Sequence, residues 1–170
     1  MSTLSVDTIQ GKTTAGTVAM PSGSIVQVAQ REVGNTGFST QTNQTSIDIT
    51  NFYVDITPKF SDSIIVWETT LTYNINDESC YGMFRVVDSN NSDAVIHSGT
   101  RCGHVGYYQP DHQAYYDTPI RAVDANCGTT STMRLQLQVW LDNNADGAET
   151  FKINWSSGDM RTITATEIKA

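Results

Sequence analysis

Apolar and polar residues alternate along much of this chain. From Arg134 to Leu141, Leu135, Leu137, Val139 and Leu141 fall on one side, and Gln136, Gln138 and Trp140 on the other. A period of two places successive side chains on opposite faces of a strand, so the run predicts a half-buried β-strand. Ser63–Ile75 is the longest predicted strand: Ile65, Trp67, Leu71, Tyr73 and Ile75 share one face, Glu68, Thr70 and Thr72 the other. Ser24–Val33 opens with Ile25, Val26 and Val28. Ile47 and Ile49 flank Asp48, and Val54 and Ile56 flank Asp55 before Pro58 ends the run. Met83–Val87 and Ala94–His97 enclose Asp88-Ser89-Asn90-Asn91-Ser92-Asp93, a hairpin loop by composition. Near the end come Phe151, Ile153 and Trp155, a turn at Ser156-Ser157-Gly158-Asp159, and a terminal strand Arg161–Ile168. No window carries a helical period. About eight strands with turns at regular spacing predict an all-β fold, an antiparallel β-sandwich of jelly-roll type over residues 24–170.

Residues 1–23 read differently. Leu4, Val6, Ile9, Val18 and Met20 stand singly among small and hydroxyl residues. Such a segment cannot bury enough apolar surface to form a core of its own. It has neither the basic start nor the continuous apolar run of a secretion signal. It is read as an extended arm, ordered only against other chains, with Val6, Ile9, Val18 and Met20 as its contact residues.

Composition narrows the classes. A chain of 170 residues suits one domain, and a net charge of −8 repels phosphate backbones. No basic run offers an exception, and no stretch is long and apolar enough to insert into a membrane. Nucleic-acid partners and membrane insertion are therefore not expected. Cys80, Cys102 and Cys127 are odd in number and widely spaced, which implies reduced thiols rather than a disulfide framework. A Cys80–Cys102 bridge is the one pairing left open.

The two ends of the chain together carry a resemblance. Val6-Asp7-Thr8-Ile9-Gln10-Gly11-Lys12-Thr13-Thr14-Ala15-Gly16-Thr17-Val18-Ala19-Met20-Pro21, leading into Gly23-Ser24-Ile25-Val26-Gln27-Val28, resembles the start of many virion structural proteins of tailed phages, notably cyanophages and other aquatic phages. Ile153-Asn154 and Thr162-Ile163-Thr164-Ala165-Thr166-Glu167-Ile168 are similar to the closing strands of those proteins. Ile56-Thr57-Pro58, Ser63-Ile64-Ile65-Val66 and Phe84-Arg85-Val86 fit the middle. Gly99–Asp117 departs from the pattern in its Tyr and His content, and Ala165-Thr166 stands where an apolar pair is common. The resemblance implies a non-enzymatic fibre, tail-tip or capsid-decoration protein on the virion surface, assembled in the host cytoplasm. It implies a homotrimer, contacts with other virion proteins through the arm, and a host surface glycan or protein as a further partner.

Candidate chemistry is sparse. Asp142-Asn143-Asn144-Ala145-Asp146-Gly147 places oxygen donors at Asp142, Asn144 and Asp146 with Gly sixth, as in a calcium loop. Ile153 stands where the bidentate Glu belongs, and strands rather than helices flank the loop. The preferred reading is a solvated hairpin loop, with calcium as the alternative; no other cofactor is expected. His97, Cys102, His104 and His112 lack the spacing of a zinc site and read as loop or interface groups. Tyr107, Tyr108, Tyr115 and Tyr116 offer large half-polar surfaces suited either to a receptor or to a subunit contact. Trp140, on the outward face of its strand, is expected beneath a neighbouring subunit. Asp111, Asp117 and the Ser98–His97 pair match no hydrolytic motif. The expected function is attachment by a short tail fibre or spike head. Capsid decoration without a receptor role, or a soluble glycan-binding lectin-like module, are the alternatives.

Overall fold

The strands pair as nested hairpins. The computed structural model describes residues 20–34, 38–40, 45–75, 81–104, 116–142, 150–153 and 161–170, without the side chains of 38–40, 75, 98–104 and 116. Ten strands lie among these residues: β1 (Ile25–Val33), β2 (Phe38–Thr40), β3 (Ile47–Ile56), β4 (Ile64–Ile75), β5 (Tyr81–Asp88), β6 (Ala94–His104), β7 (Tyr116–Asp124), β8 (Met133–Asp142), β9 (Phe151–Ile153) and β10 (Arg161–Ile168). A 3-10 turn, Ser89–Asn91, joins β5 to β6. From the outside inwards, β1 pairs with β10, β3 with β8, β4 with β7 and β5 with β6, all antiparallel. One long hairpin rolled up in this way is the jelly roll.

Rolling the hairpin creates two sheets. The first runs β1–β10–β4–β7; β9 prolongs the β10 rank against Tyr73–Ile75, and β2 prolongs the β1 rank against β9. The second runs β3–β8–β5–β6. Their inward residues form one core, including Ile65, Trp67, Leu71, Leu135, Leu137, Val139 and Leu141, all fully buried. Burying each such side chain contributes roughly 1.5–3 kcal/mol, so the alternation read from the sequence is also the main source of stability. Trp67 fits because the residues opposite it on both flanking strands are alanines, Ala165 on β10 and Ala122 on β7. The unusual Ala165 is thus the space for an indole.

Three local features refine the sequence reading. The Ile47–Ile49 and Val54–Ile56 runs are a single strand bent by a bulge at Asn51, whose φ is 64°. The extra residue lets Ile49 and Phe52 both point inward, and the register shifts between Asp48 and Tyr53. Gln136 Nε2 donates to the carbonyls of Ile49 (2.8 Å) and Phe52 (3.2 Å) on either side of the bulge. Second, the Gly99–Asp117 loop is shorter than expected. β6 continues to His104 and β7 begins at Tyr116, so both are strand residues. Third, β7 carries no clear alternation and contains Pro119. Proline lacks an amide donor and is tolerated on edge strands, which is where β7 lies.

Candidate functional site

The roll has two chemically different ends. At one, the 57–63 turn, the 89–93 turn and the 125–132 loop gather around the start of β1 and the end of β10. Gly23 N donates to the Lys169 carbonyl at 2.7 Å, and Lys169 N donates to the Ser24 carbonyl at 2.9 Å. The arm therefore joins the roll beside the last residues of the chain. Glu167, fully buried, holds this end together. Its Oε1 accepts from Ser63 Oγ (2.7 Å), Lys59 N (2.8 Å) and Phe60 N (3.2 Å), and its Oε2 from Gln27 Nε2 (2.7 Å). Burial alone would raise the Glu167 pKa; these four hydrogen bonds outweigh it and hold the carboxyl below its ordinary value. The neighbouring loop docks through Cys127 N to the Ser63 carbonyl (3.0 Å) and Gly128 N to the Ser61 carbonyl (2.9 Å).

Between the 89–93 turn and this loop lies a cleft of about 570 Å³, lined among others by Asp88, Asn90, Asp124, Ser131, Ile96 and Met133. Asp88 Oδ1 is already engaged, accepting from Asn90 N (3.1 Å) and Arg134 N (2.9 Å). Asp124 accepts from Asn126 N at 3.1 Å. The cleft offers carboxylate, amide and hydroxyl groups beside aliphatic surface. Among the described residues, no cluster of three or more His, Cys, Asp or Glu side chains could hold a metal ion.

At the opposite end the strands that flank the two segments singled out above finish together. His104, the last residue of β6, and Asp142, the last of β8, both pair with Tyr81, one from each side. Tyr116 pairs with Tyr73 and Phe151 with Ile75, on the facing sheet. The tyrosine segment and the Asp142 segment thus depart from neighbouring positions. Tyr107, Tyr108, Tyr115, Asn144 and Asp146 lie outside the described residues, as do the side chain of Tyr116 and the arm residues Val6, Ile9 and Val18; Met20 is described and half-buried. Asp142 is half-buried and has a partner of its own.

Trp140 is half-buried on the outward face of β8, as the alternation predicts, opposite Met83. Beside it lies a polar cross-link: Arg85 Nε donates to Gln138 Oε1 (2.7 Å), and Gln138 Nε2 donates to Asp48 Oδ1 (2.8 Å). His97 stacks on Phe84 at 6.2 Å between ring centroids. Asp117 accepts from Thr72 Oγ1 and pairs with Arg161 at 3.2 Å, a structural role.

Two features escaped the sequence reading. Arg31 and Arg134 both lie against the Tyr53 ring, at 3.7 and 4.1 Å from its centroid, and Arg134 also grips Asp55 with two hydrogen bonds. These residues come from three strands, so no local spacing announces them. The outward face of β1 carries exposed Ile25 and Val28. Apolar residues at both parities, Ile25, Val26 and Val28, were the available signal.

No family model matches the chain, and no curated protein does. Among solved structures it is similar to VP2 of infectious bursal disease virus in a subviral particle, at 9% identity and a TM-score of 0.42, covering 97% of this chain and 42% of that one. For the T=1 particles derived from the same virus the values are 10%, 0.45, 97% and 41%. For the Gx strain of the virus they are 10%, 0.43, 98% and 42%. The chain spans about two-fifths of the length of those proteins.

Proposed function

We propose that this chain is a non-enzymatic structural protein of a phage particle, the head of a short tail fibre or spike exposed on the virion surface, working in host attachment as a homotrimer. The observation that carries the reading is the polarity of the roll. The arm joins at the end closed by Glu167, whereas the strands leading into the tyrosine segment finish at the far end. β4, with 12 residues, links the two ends, a span of roughly 40 Å. A module with its tether at one end, and at the other the strand ends that lead into its tyrosine segment, is suited to display. The resemblance carried by residues 6–21 supports the same reading, with Val6, Ile9, Val18 and Met20 anchoring the arm. A jelly roll by itself carries no function.

Capsid decoration without a receptor role shares this polarity and differs only in where the arm is anchored. A glycan-binding, lectin-like module is favoured by the polar cleft beside Asp88 and Asp124. Gold-labelled antibody against the sandwich, applied to purified particles whose genome encodes the chain, separates these readings. Label at the tail, with host adsorption lost on Tyr107→Ala/Tyr115→Ala, is the expected result. Label over the capsid with normal adsorption selects decoration. Unlabelled particles overturn the virion reading and leave the lectin.

A further inference from the structure

The outward face of the first sheet is apolar where the arm joins it. Direct cross-strand pairing aligns Val28 on β1, Thr166 on β10, Val66 on β4 and Val123 on β7 in one row across all four ranks. A second row, Ile25–Ile168–Ile64, lies beside it towards the chain ends. Val66, at the centre, is only 5% exposed, but Ile25, Val28 and Val123 are 62%, 52% and 43% exposed. The next row, Gln30–Thr164–Glu68–Arg121, is polar and bounds the patch. Outward strand residues on a sheet with one solvated face are normally polar, so contiguous Ile and Val there mark a covered surface.

We propose that this face binds residues 1–19 of a second copy of the chain. The occupant follows from three observations. Residues 20–24 join the sheet at the corner of the patch, pinned by Gly23 and Ser24 to Lys169. The preceding 19 residues reach roughly 60 Å when extended, against roughly 15 Å for the width of four strands. Their singly spaced Leu4, Val6, Ile9 and Val18 supply small apolar contacts that match rows of Val, Ile and Thr in size. Exchanging arms between copies joins subunits, as the homotrimer reading requires, and the native mass distinguishes this from a chain that covers its own face. This deepens the arm-anchoring reading and rests on it: the first acceptor of the arm is a neighbouring subunit. The proposal is tested in solution, so its outcome is separate from that of particle labelling.

The test compares the native mass of three full-length proteins by light scattering: the wild type, a face variant (Val28→Glu/Val123→Glu) and an arm variant (Val6→Asp/Ile9→Asp). The wild type is expected to be oligomeric, and both variants monomeric with melting temperatures near that of the wild type. Mixing the two variants is expected to restore a pair, because one brings an intact arm and the other an intact face. Should the glutamates unfold the sheet, Val28→Thr/Val123→Thr keeps the strands and must still shift dissociation at least tenfold. A monomeric wild type, a folded face variant of unchanged mass, or a mixture that fails to recombine overturns the proposal.

Discussion

Ser63 donates its hydroxyl proton to Glu167 at 2.7 Å, and both residues are fully buried. The contact bridges 104 positions of sequence and fixes the 57–63 turn to the last strand. Glu167 also answers the partly buried Lys59 and Phe60 amides, so its loss strands these donors together with the buried Ser63 hydroxyl. Glu167→Ala is expected to cost about 3 kcal/mol at neutral pH, measured by urea unfolding. The carboxyl is held below its ordinary value of 4.5 in the folded state. A lowered folded pKa gives stability that is full above that value and is lost as pH falls through the folded one. Glu167→Gln removes this dependence, so its acid unfolding limb, followed by circular dichroism, is expected to be shallower than the wild type's. Parallel acid limbs would show that Glu167 is not a stabilising carboxylate.

The indole of Trp67 occupies space left by Ala122 and Ala165, and its buried Nε1 has no hydrogen-bond partner among the described residues. Enlarging either alanine overpacks the core. Ala165→Leu is expected to cost about 1–3 kcal/mol. Combining it with Trp67→Phe is expected to recover part of that loss, because phenylalanine vacates volume and removes the orphaned N–H. A double-mutant cycle in urea reads the coupling directly. Simple additivity would mean that the three side chains do not share one space.

How far the sequence could be read depended on whether a feature was periodic. β4 and β8 were legible because burial on one face forces a period of two, and Leu135 to Leu141 show it without interruption. β7 was not legible. As an edge strand it is selected for fewer hydrogen bonds and tolerates Pro119, so the usual signal is absent. The bulge at Asn51 was hidden because the extra residue breaks the period that reveals a strand. Glu167 and the Arg31–Tyr53–Arg134 stack depend on pairings between strands distant in sequence, which appear only once the roll is closed. The position of Trp140 followed from alternation alone.

Gln136 and Gln138 are neighbours on one face of β8 with unequal work. Gln136 is buried, and its Nε2 serves the carbonyls that flank the β3 bulge. Gln138 is buried as well, but it joins two side chains, Asp48 and Arg85, of which Asp48 is exposed. Gln136→Leu keeps the volume but leaves the Ile49 and Phe52 carbonyls unanswered, an expected loss of about 2–3 kcal/mol. Gln138→Leu leaves side chains that can turn to water rather than fixed carbonyls, so its expected cost is smaller, about 1 kcal/mol. Thermal melts of both variants decide the point; equal losses would refute the special role of the bulge.

Cys127 is half-buried in the loop that docks on the 57–63 turn, and the Phe60 and Thr129 carbonyls, each 3.4 Å from its Sγ, share its one thiol proton. Its own amide is held by Ser63, the residue that also donates to Glu167. Alkylation of the thiol therefore requires the loop to lift, a local opening with its own free energy. Iodoacetamide labelling of Cys127, followed by peptide mass mapping, is expected to be at least tenfold slower in the native protein than in urea. Glu167→Gln, which loosens the turn beneath the loop, is expected to accelerate native labelling while the far end of the roll keeps its hydrogen-exchange protection. Ser63→Ala is expected to do the same. Native labelling as fast as in urea would show that the loop stands open. Labelling unaffected by either variant would separate Cys127 from the Glu167 contact.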